Sequence, residues 1–400
     1  MGLLGARMAV QLDGLSAHAI ECKIPGTNIE IRLDLPRSRG AWFCESETGD
    51  DYLDLTGLFG GRALGFNHRG FLEHHKSPPR DSQTSSEALL EQLHDRMIKS
   101  SMAQGFSGLA LVDSADTALA CALELAVARR GDASKVIHFS GNRGQLNRET
   151  TQDMACPSLP NAHTIHGEEL TPEESMAIDS LRAAFEESPA GIAAVVVESV
   201  QSFRGDHYVR PVFFKKLREL CDESASLLIV DEVDSGFGRS GCWWDCQHLG
   251  VKPDMIVFGG IAELGGVLVD EHLMKWVGQT YPLPTEGQLQ RCNAVLDAME
   301  NEKLLGHAGL MGRYLDTVLT ELVMKFPAVS NPRVRGLRAA FDLPTAAERD
   351  ALIEACLEEY LILLPSGVRS VSLRPTLDVR PDAIGRGIAQ LEAALRRVYG

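Results

Sequence analysis

The sequence predicts an α/β protein in which a large domain with a mainly parallel, doubly wound sheet joins a smaller α+β domain. Two observations carry this. Between residues 109 and 258 short apolar runs alternate with longer amphipathic or alanine-rich stretches, the rhythm of βαβ units. Several of those runs, such as GIAAVVV at 191–197 and LLIV at 227–230, are apolar throughout, as strands covered on both faces are. After residue 287 the rhythm gives way to paired helical stretches and isolated strands. Residues 60–288 are therefore read as the large domain, and 1–59 with 289–400 as the small one.

Residues 29–59 alternate apolar and polar side chains around turn signals at Ser38-Arg39-Gly40 and Thr48-Gly49-Asp50, which predicts an antiparallel meander ending at Tyr52-Leu53-Asp54-Leu55. A glycine-punctuated loop follows at 60–68, then a Pro/Ser-rich loop at 76–86 and an amphipathic helix at 87–100. A strand at 109–112 leads to Ser114, a residue suited to cap a helix at 117–130. Strands are expected at 135–139 and 255–258, a loop at 140–148 and a helix at 211–225. Beyond 287 the pattern predicts helices at 289–305 and 310–326 and a strand at 334–343. A helix at 346–360, a strand at 370–373 and a final amphipathic helix at 381–399 complete the chain.

A formal net charge of −16 over 400 residues argues against nucleic acid and anionic membrane surfaces as partners. The longest apolar runs fall short of the roughly 20 residues a membrane span needs. The first residues hold no sustained apolar region, so no signal peptide is expected and the cytoplasm is the expected compartment. Nine scattered cysteines fit reduced thiols rather than a disulfide framework. Cys242, Cys246 and His248 have no second ligand pair nearby, and no metal site is expected there.

The stretch 227–266 holds the chemistry. Its first strand runs into Asp231-Glu232, and its second ends at Gly259-Gly260. In open α/β sheets ligands sit beyond the carboxyl ends of strands, so these two ends frame one site. One carries a carboxylate; the other carries glycine where chemistry would want a side chain.

DEVDSGFGRSG followed by GVKPDMIVFG resembles the class III aminotransferases, pyridoxal phosphate (PLP) enzymes of fold type I, and within them the lysine 6-aminotransferases. The resemblance extends to SRGAWFCESETGDDYLDL…ALGFNH near the start, RPVFFKKLRELCDE in the middle and RGLRAAFDLPTAAERDAL…LLPSGVRSVSLRPTLDV near the end. It implies the fold type I architecture and a site built at a two-fold interface, hence a homodimer or a heterodimer with an active relative.

Carried over position by position, the resemblance also implies departures. The Schiff-base lysine falls on Gly260, and neither Lys252 nor Lys275 is expected to replace it. The phosphate-binding pair at the helix start falls on Ala115-Asp116, where a carboxylate would repel a dianion. At an effective dielectric of about 20, two like charges about 4 Å apart cost on the order of 4 kcal/mol. The ring-stacking aromatic falls within Asn142-Arg143-Gly144, the cross-subunit threonine near Thr285, and the glutamine after Asp-Glu-Val on Asp234. Asp231 matches the aspartate that pairs with the pyridine nitrogen, Arg374 the arginine that grips a substrate carboxylate, and Glu198 an acid near the cofactor.

These matches lead to the expectation that PLP-dependent transamination is lost and that no cofactor is needed, with non-covalent PLP as the alternative. The charges gathered at the pocket positions (Asp116, Arg143, Asp234, Glu263, Glu286) suggest a repurposed site for an amine-rich carboxylate of lysine or ornithine type. Asp231 and Asp234 are the candidates for general acid and base there. The other reading is a non-catalytic scaffold or partner subunit.

Overall fold

The computed structural model describes residues 20–24, 29–71, 86–99, 105–131, 134–139, 151–154, 166–188, 191–276 and 281–400. The chain divides into two compact units, one of Lys76–Leu305 and one of Met1–His75 with Gly306–Gly400.

The Lys76–Leu305 unit is built on a seven-stranded sheet. From one side to the other its strands are Gly108–Val112, Gly265–Val269, Met255–Phe258, Leu227–Asp231, Ile192–Glu198, Lys135–Phe139 and Thr151–Met154. Only Gly265–Val269 runs against its neighbours; the other six point the same way. Every residue of Ile192–Glu198 and Leu227–Asp231 is buried, as their unbroken apolar sequences require of strands covered on both faces. The helix Ala115–Arg130 covers one part of the sheet with Ala118, Ala122 and Ala126, small residues four apart that let its backbone lie close against Val196, Ile229 and Val257. The helix Pro211–Glu223 buries Phe213, Phe214, Leu217, Leu220 and Cys221, one stripe at helical spacing.

In the other unit the expected meander is joined only loosely at its first turn, by an antiparallel bridge between Leu33 and Glu45, and each half gains a further partner. Glu30–Leu33 pairs with Ile20–Lys23, whereas Trp42–Cys44 pairs with Asp51–Asp54, which is joined on its far side by Leu361–Ile362 running parallel to it. That partner lies some 300 positions away in sequence, so local alternation could not reveal it. The strand expected at 334–343 is two strands, Ser330–Arg335 and Arg338–Asp342, turned back on each other at Gly336, whose φ of 57° suits glycine. They extend a four-stranded antiparallel sheet with Ser370–Leu373 and Leu364–Ser366. Among the described residues, no helix is long and apolar enough to cross a membrane.

Candidate active site

The sheet's direction collects the site. Strand ends at Val112, Phe258, Asp231 and Glu198 share one edge, and the reversed strand brings its first residue, Gly265, to the same place, opposite Val112. Asp231 and Glu198 are direct neighbours across adjacent parallel strands, and both are almost fully buried. Asp231 Oδ1 accepts the Val233 N–H at 3.0 Å, which fixes the carboxylate at the strand end. Glu198 accepts the Ser202 N–H at 3.3 Å.

The start of the Ala115–Arg130 helix is pressed into this edge by two glycines. A Cβ at Gly259 would lie 2.4 Å from the Ala115 Cβ, and one at Gly265 only 2.0 Å from the Ser114 carbonyl oxygen. Neither position has room for a side chain. Ser114 caps the helix as expected, its Oγ accepting the Thr117 N–H at 3.2 Å. Asp116 lies exposed in the first turn, the place where an anion complements the helix dipole.

After Asp231 the chain folds over itself around Glu232, a strand-end acid to which the sequence assigned no role. Its carboxylate is buried and accepts the N–H groups of Asp245 and Cys246, both at 2.6 Å, tying the turn after Asp231 to the loop thirteen residues on. Burial, and then the charge of Asp245, push the Glu232 carboxyl up to about 7, against the pull of those two N–H groups. Phe237, Trp243, Trp244 and Phe258 pack as one aromatic cluster beneath the loop. Cys246 is thus part of this structural clamp, and His248 Nε2 lies 3.3 Å from the Ser240 carbonyl. Among the described residues, no group of three or more His, Cys, Asp or Glu side chains is placed to hold a metal ion. Asp234 is half-buried three residues beyond Asp231. Ser199 and Ser235, 3.2 Å apart through their hydroxyls, link the turns after Glu198 and Asp231.

Gly260 opens a short turn at the end of the Met255–Phe258 strand, exposed and with a φ of 59°. A Cβ there would lie 3.3 Å from the Val233 carbonyl, a tight but not prohibitive contact. Glu263, at a φ of 66°, closes the turn and pairs with Arg291 at 3.2 Å. Thr285 caps the helix Glu286–Asn301 in a reciprocal arrangement with Gln288, and Gln288 Nε2 reaches across to the Asp113 carbonyl at 2.6 Å. Gln288 therefore joins this helix to the edge, a role the sequence signal T-x-x-Q for a capping box could have suggested. Glu286 lies exposed in the first turn of the same helix.

The amines lie elsewhere. No lysine occurs between Lys135 and Lys215, between Lys216 and Lys252, or between Lys252 and Lys275, so none of the loops leaving these strand ends carries one. Lys252 stands before its strand, at the opposite edge, paired with Asp270 at 2.7 Å. Lys275 also follows the far end of Gly265–Val269, its Nζ 5.6 Å from the Trp276 ring centre. Arg374 belongs to the other unit, directly after Ser370–Leu373. Its backbone N–H donates to the Leu55 carbonyl at 2.8 Å, and its Nε to Ser372 Oγ at 3.1 Å. Asn142 and Arg143 lie outside the described residues.

For a pyridine cofactor carrying a phosphate, this edge is a partial fit. Asp231 is a buried carboxylate suited to a ring nitrogen, and a helix start is the kind of place that suits a phosphate. What the described residues lack here is an amine for covalent attachment.

A family model described as class-III aminotransferase matches residues 25–395. The L-lysine-epsilon aminotransferase of Mycobacterium bovis is 32% identical over 416 residues, covering 92% of each chain. The acetylornithine aminotransferase of Prochlorococcus marinus is 27% identical over 398 residues, covering 93% of each. Lysine aminotransferase from Mycobacterium tuberculosis, solved in the internal aldimine form, matches with a TM-score of 0.78 at 29% identity, over 98% of this chain and 97% of that one. Class III aminotransferases use PLP, and this overturns the expectation that no cofactor is needed. That expectation weighed the departures at single positions and gave too little to the frame, which keeps Asp231 at its strand end and the helix start beside it.

Proposed function

The chain belongs to the class III aminotransferases, and from that membership we propose that it is one whose covalent amine is lost: it holds PLP without a covalent bond and does not transaminate by itself. The family binds amino-acid substrates and is typically dimeric. The observation that carries the reading is the absence of lysine from every loop leaving the carboxyl edge, with Gly260 at the strand end where the family resemblance places the amine. PLP supplies an electron sink for chemistry at the carbon bearing an amino group. In this chain Asp231 would face its ring nitrogen, and the N–H groups at the start of Ala115–Arg130 would face its phosphate. Asp116, beside those N–H groups, weakens that hold.

The ligand we propose is an amino acid with a second amino group, of lysine or ornithine type. The names of the relatives and the carboxylates at the edge (Asp231, Glu198 and Asp234) support this class. Arg374 would hold its carboxylate, and the protein would act as a homodimer. The test is a coupled assay on the purified, PLP-saturated protein with L-lysine and L-ornithine as amino donors and 2-oxoglutarate as acceptor. The expected result is no turnover, together with a rise in melting temperature on adding L-lysine or L-ornithine that Arg374→Ala abolishes. Sustained turnover, or no melting shift with any amino acid, would overturn the reading.

A further inference from the structure

We propose that an open recess at the opposite, amino edge of the seven-stranded sheet binds a small phosphorylated metabolite. The recess, open to solvent, has a volume of about 400 Å³ and is lined by Arg129, Arg130, Ala225, His272, Leu273, Lys275 and Trp276. That volume lies within the range of roughly 300–1,000 Å³ seen for small-molecule sites. It depends on different residues from the Asp231 edge.

Three permanent cations line it and, among the described residues, no carboxylate does. Among the described residues, none of the three makes an ion pair, although the chain carries 55 acidic side chains against 39 lysines and arginines. Other lysines of the same unit are paired: Lys252 with Asp270, Lys216 with Glu219 and Lys99 with Asp95. An acidic protein that, among its described residues, leaves three cations together without an ion pair presents a focused positive field.

A simpler role exists for part of the cluster. Arg129 Nη1 donates to the Ala225 carbonyl at 3.2 Å, and Arg130 Nη1 to the Ser224 and Ala225 carbonyls at 2.9 and 3.0 Å, just past the end of the helix Pro211–Glu223. Capping of that kind is a common use of arginine. It occupies one nitrogen of each guanidinium and none of Lys275. It also holds both forks in place, so little freedom remains to be lost on binding. Gly191, at a φ of 82°, completes the seat: a Cβ there would lie 2.4 Å from Arg130 Nη2, so glycine makes room for the guanidinium. Lys275 Nζ rests on the Trp276 ring and points no charge at a carboxylate.

Two guanidiniums and an ammonium match a phosphate or diphosphate better than a single carboxylate, which would leave two cations uncompensated. Calorimetric titration of the full-length protein with pyrophosphate, ATP and 2-oxoglutarate, each at constant ionic strength and with and without saturating PLP, tests this. Pyrophosphate and ATP should bind saturably with a Kd below about 1 mM, whether or not PLP is present. The double variant Arg129→Ala, Lys275→Glu should weaken both by about tenfold or more, with its far-ultraviolet circular dichroism and melting temperature close to the parent's. Absence of saturable binding, equal binding by the double variant, or a preference for 2-oxoglutarate would each overturn the assignment. Because the readout is binding at the amino edge, it stands or falls independently of the PLP reading.

Discussion

The two edges of the seven-stranded sheet make opposite demands on the same helix. At the carboxyl edge the start of Ala115–Arg130 is wedged against Gly259 and Gly265, and the surrounding side chains are acids: Asp231, Glu198, Asp234 and Asp116. At the amino edge the end of that helix brings Arg129 and Arg130 to Lys275, while Lys252 is held by Asp270 close by. The sheet therefore keeps the acids of the carboxyl edge and the unit's nearest lysines on opposite sides. A strand of five residues spans roughly 17 Å, a distance no lysine side chain bridges. On the reading proposed above, the lesson is that a frame for a cofactor persists without the side chain that would bond to it.

Backbone contact should dominate stability at the carboxyl edge and side-chain contact at the amino edge. Gly265→Ala drives a Cβ into the Ser114 carbonyl and should cost about 3 kcal/mol or more of unfolding free energy in urea titrations. Gly191→Ala, its counterpart at the amino edge, meets a side-chain end, the Arg130 guanidinium, rather than backbone and should cost about 1–2 kcal/mol, chiefly from its positive φ. If the two losses were equal, the distinction between the edges would fail.

The buried clamp at Glu232 makes a second contrast, this time with pH. Its pKa in the folded protein lies above its ordinary value of 4.5, reaching about 7. Folding therefore favours its protonated form, so the stability it contributes is full below about 4.5 and is lost as the pH rises through about 7. The change across that window should be on the order of 3 kcal/mol. Comparing unfolding free energies of the parent and Glu232→Gln at pH 5 and pH 8 isolates it: the parent should lose more stability over that interval than the variant.

Smaller effects probe charge. Asp116→Ser should tighten PLP by about tenfold in an absorbance titration, a figure that discounts the full repulsion for solvent screening at an exposed site. Lys252→Ala should change stability by less than about 1 kcal/mol and leave PLP affinity untouched, as expected of a partly exposed ion pair on the wrong edge.

Much of this frame was legible in sequence. Unbroken apolar runs gave the parallel strands, Ser114 gave the helix start, and the Asp231 and Gly259-Gly260 strand ends gave the edge itself. The reversed strand Gly265–Val269 was not read, because only four residues separate it from Gly259-Gly260 and its own Gly265-Gly266 start reads as a turn. Pairing of Asp51–Asp54 with Leu361–Ile362 was beyond local reading for the reason of sequence distance. Within the site, Glu232 was given no role beside Asp231, although its clamp is set by a loop thirteen residues away that no periodicity points to. The cofactor was misjudged for a different reason: substitutions at single positions are visible one at a time, whereas a preserved edge is visible only when the strands are assembled.

The absence of a bonding amine at the carboxyl edge can be tested by saturating the protein with PLP, reducing with borohydride and mapping the peptides by mass spectrometry. The parent protein should carry no fixed cofactor in the stretch 227–266 or at Lys275. Gly260→Lys, at a position whose φ of 59° should cost about 1 kcal/mol for a side chain, should carry it at position 260. Cofactor fixed to Lys252 or Lys275 of the parent would contradict the account, as would a Gly260→Lys variant that folds, binds PLP and acquires no fixed cofactor.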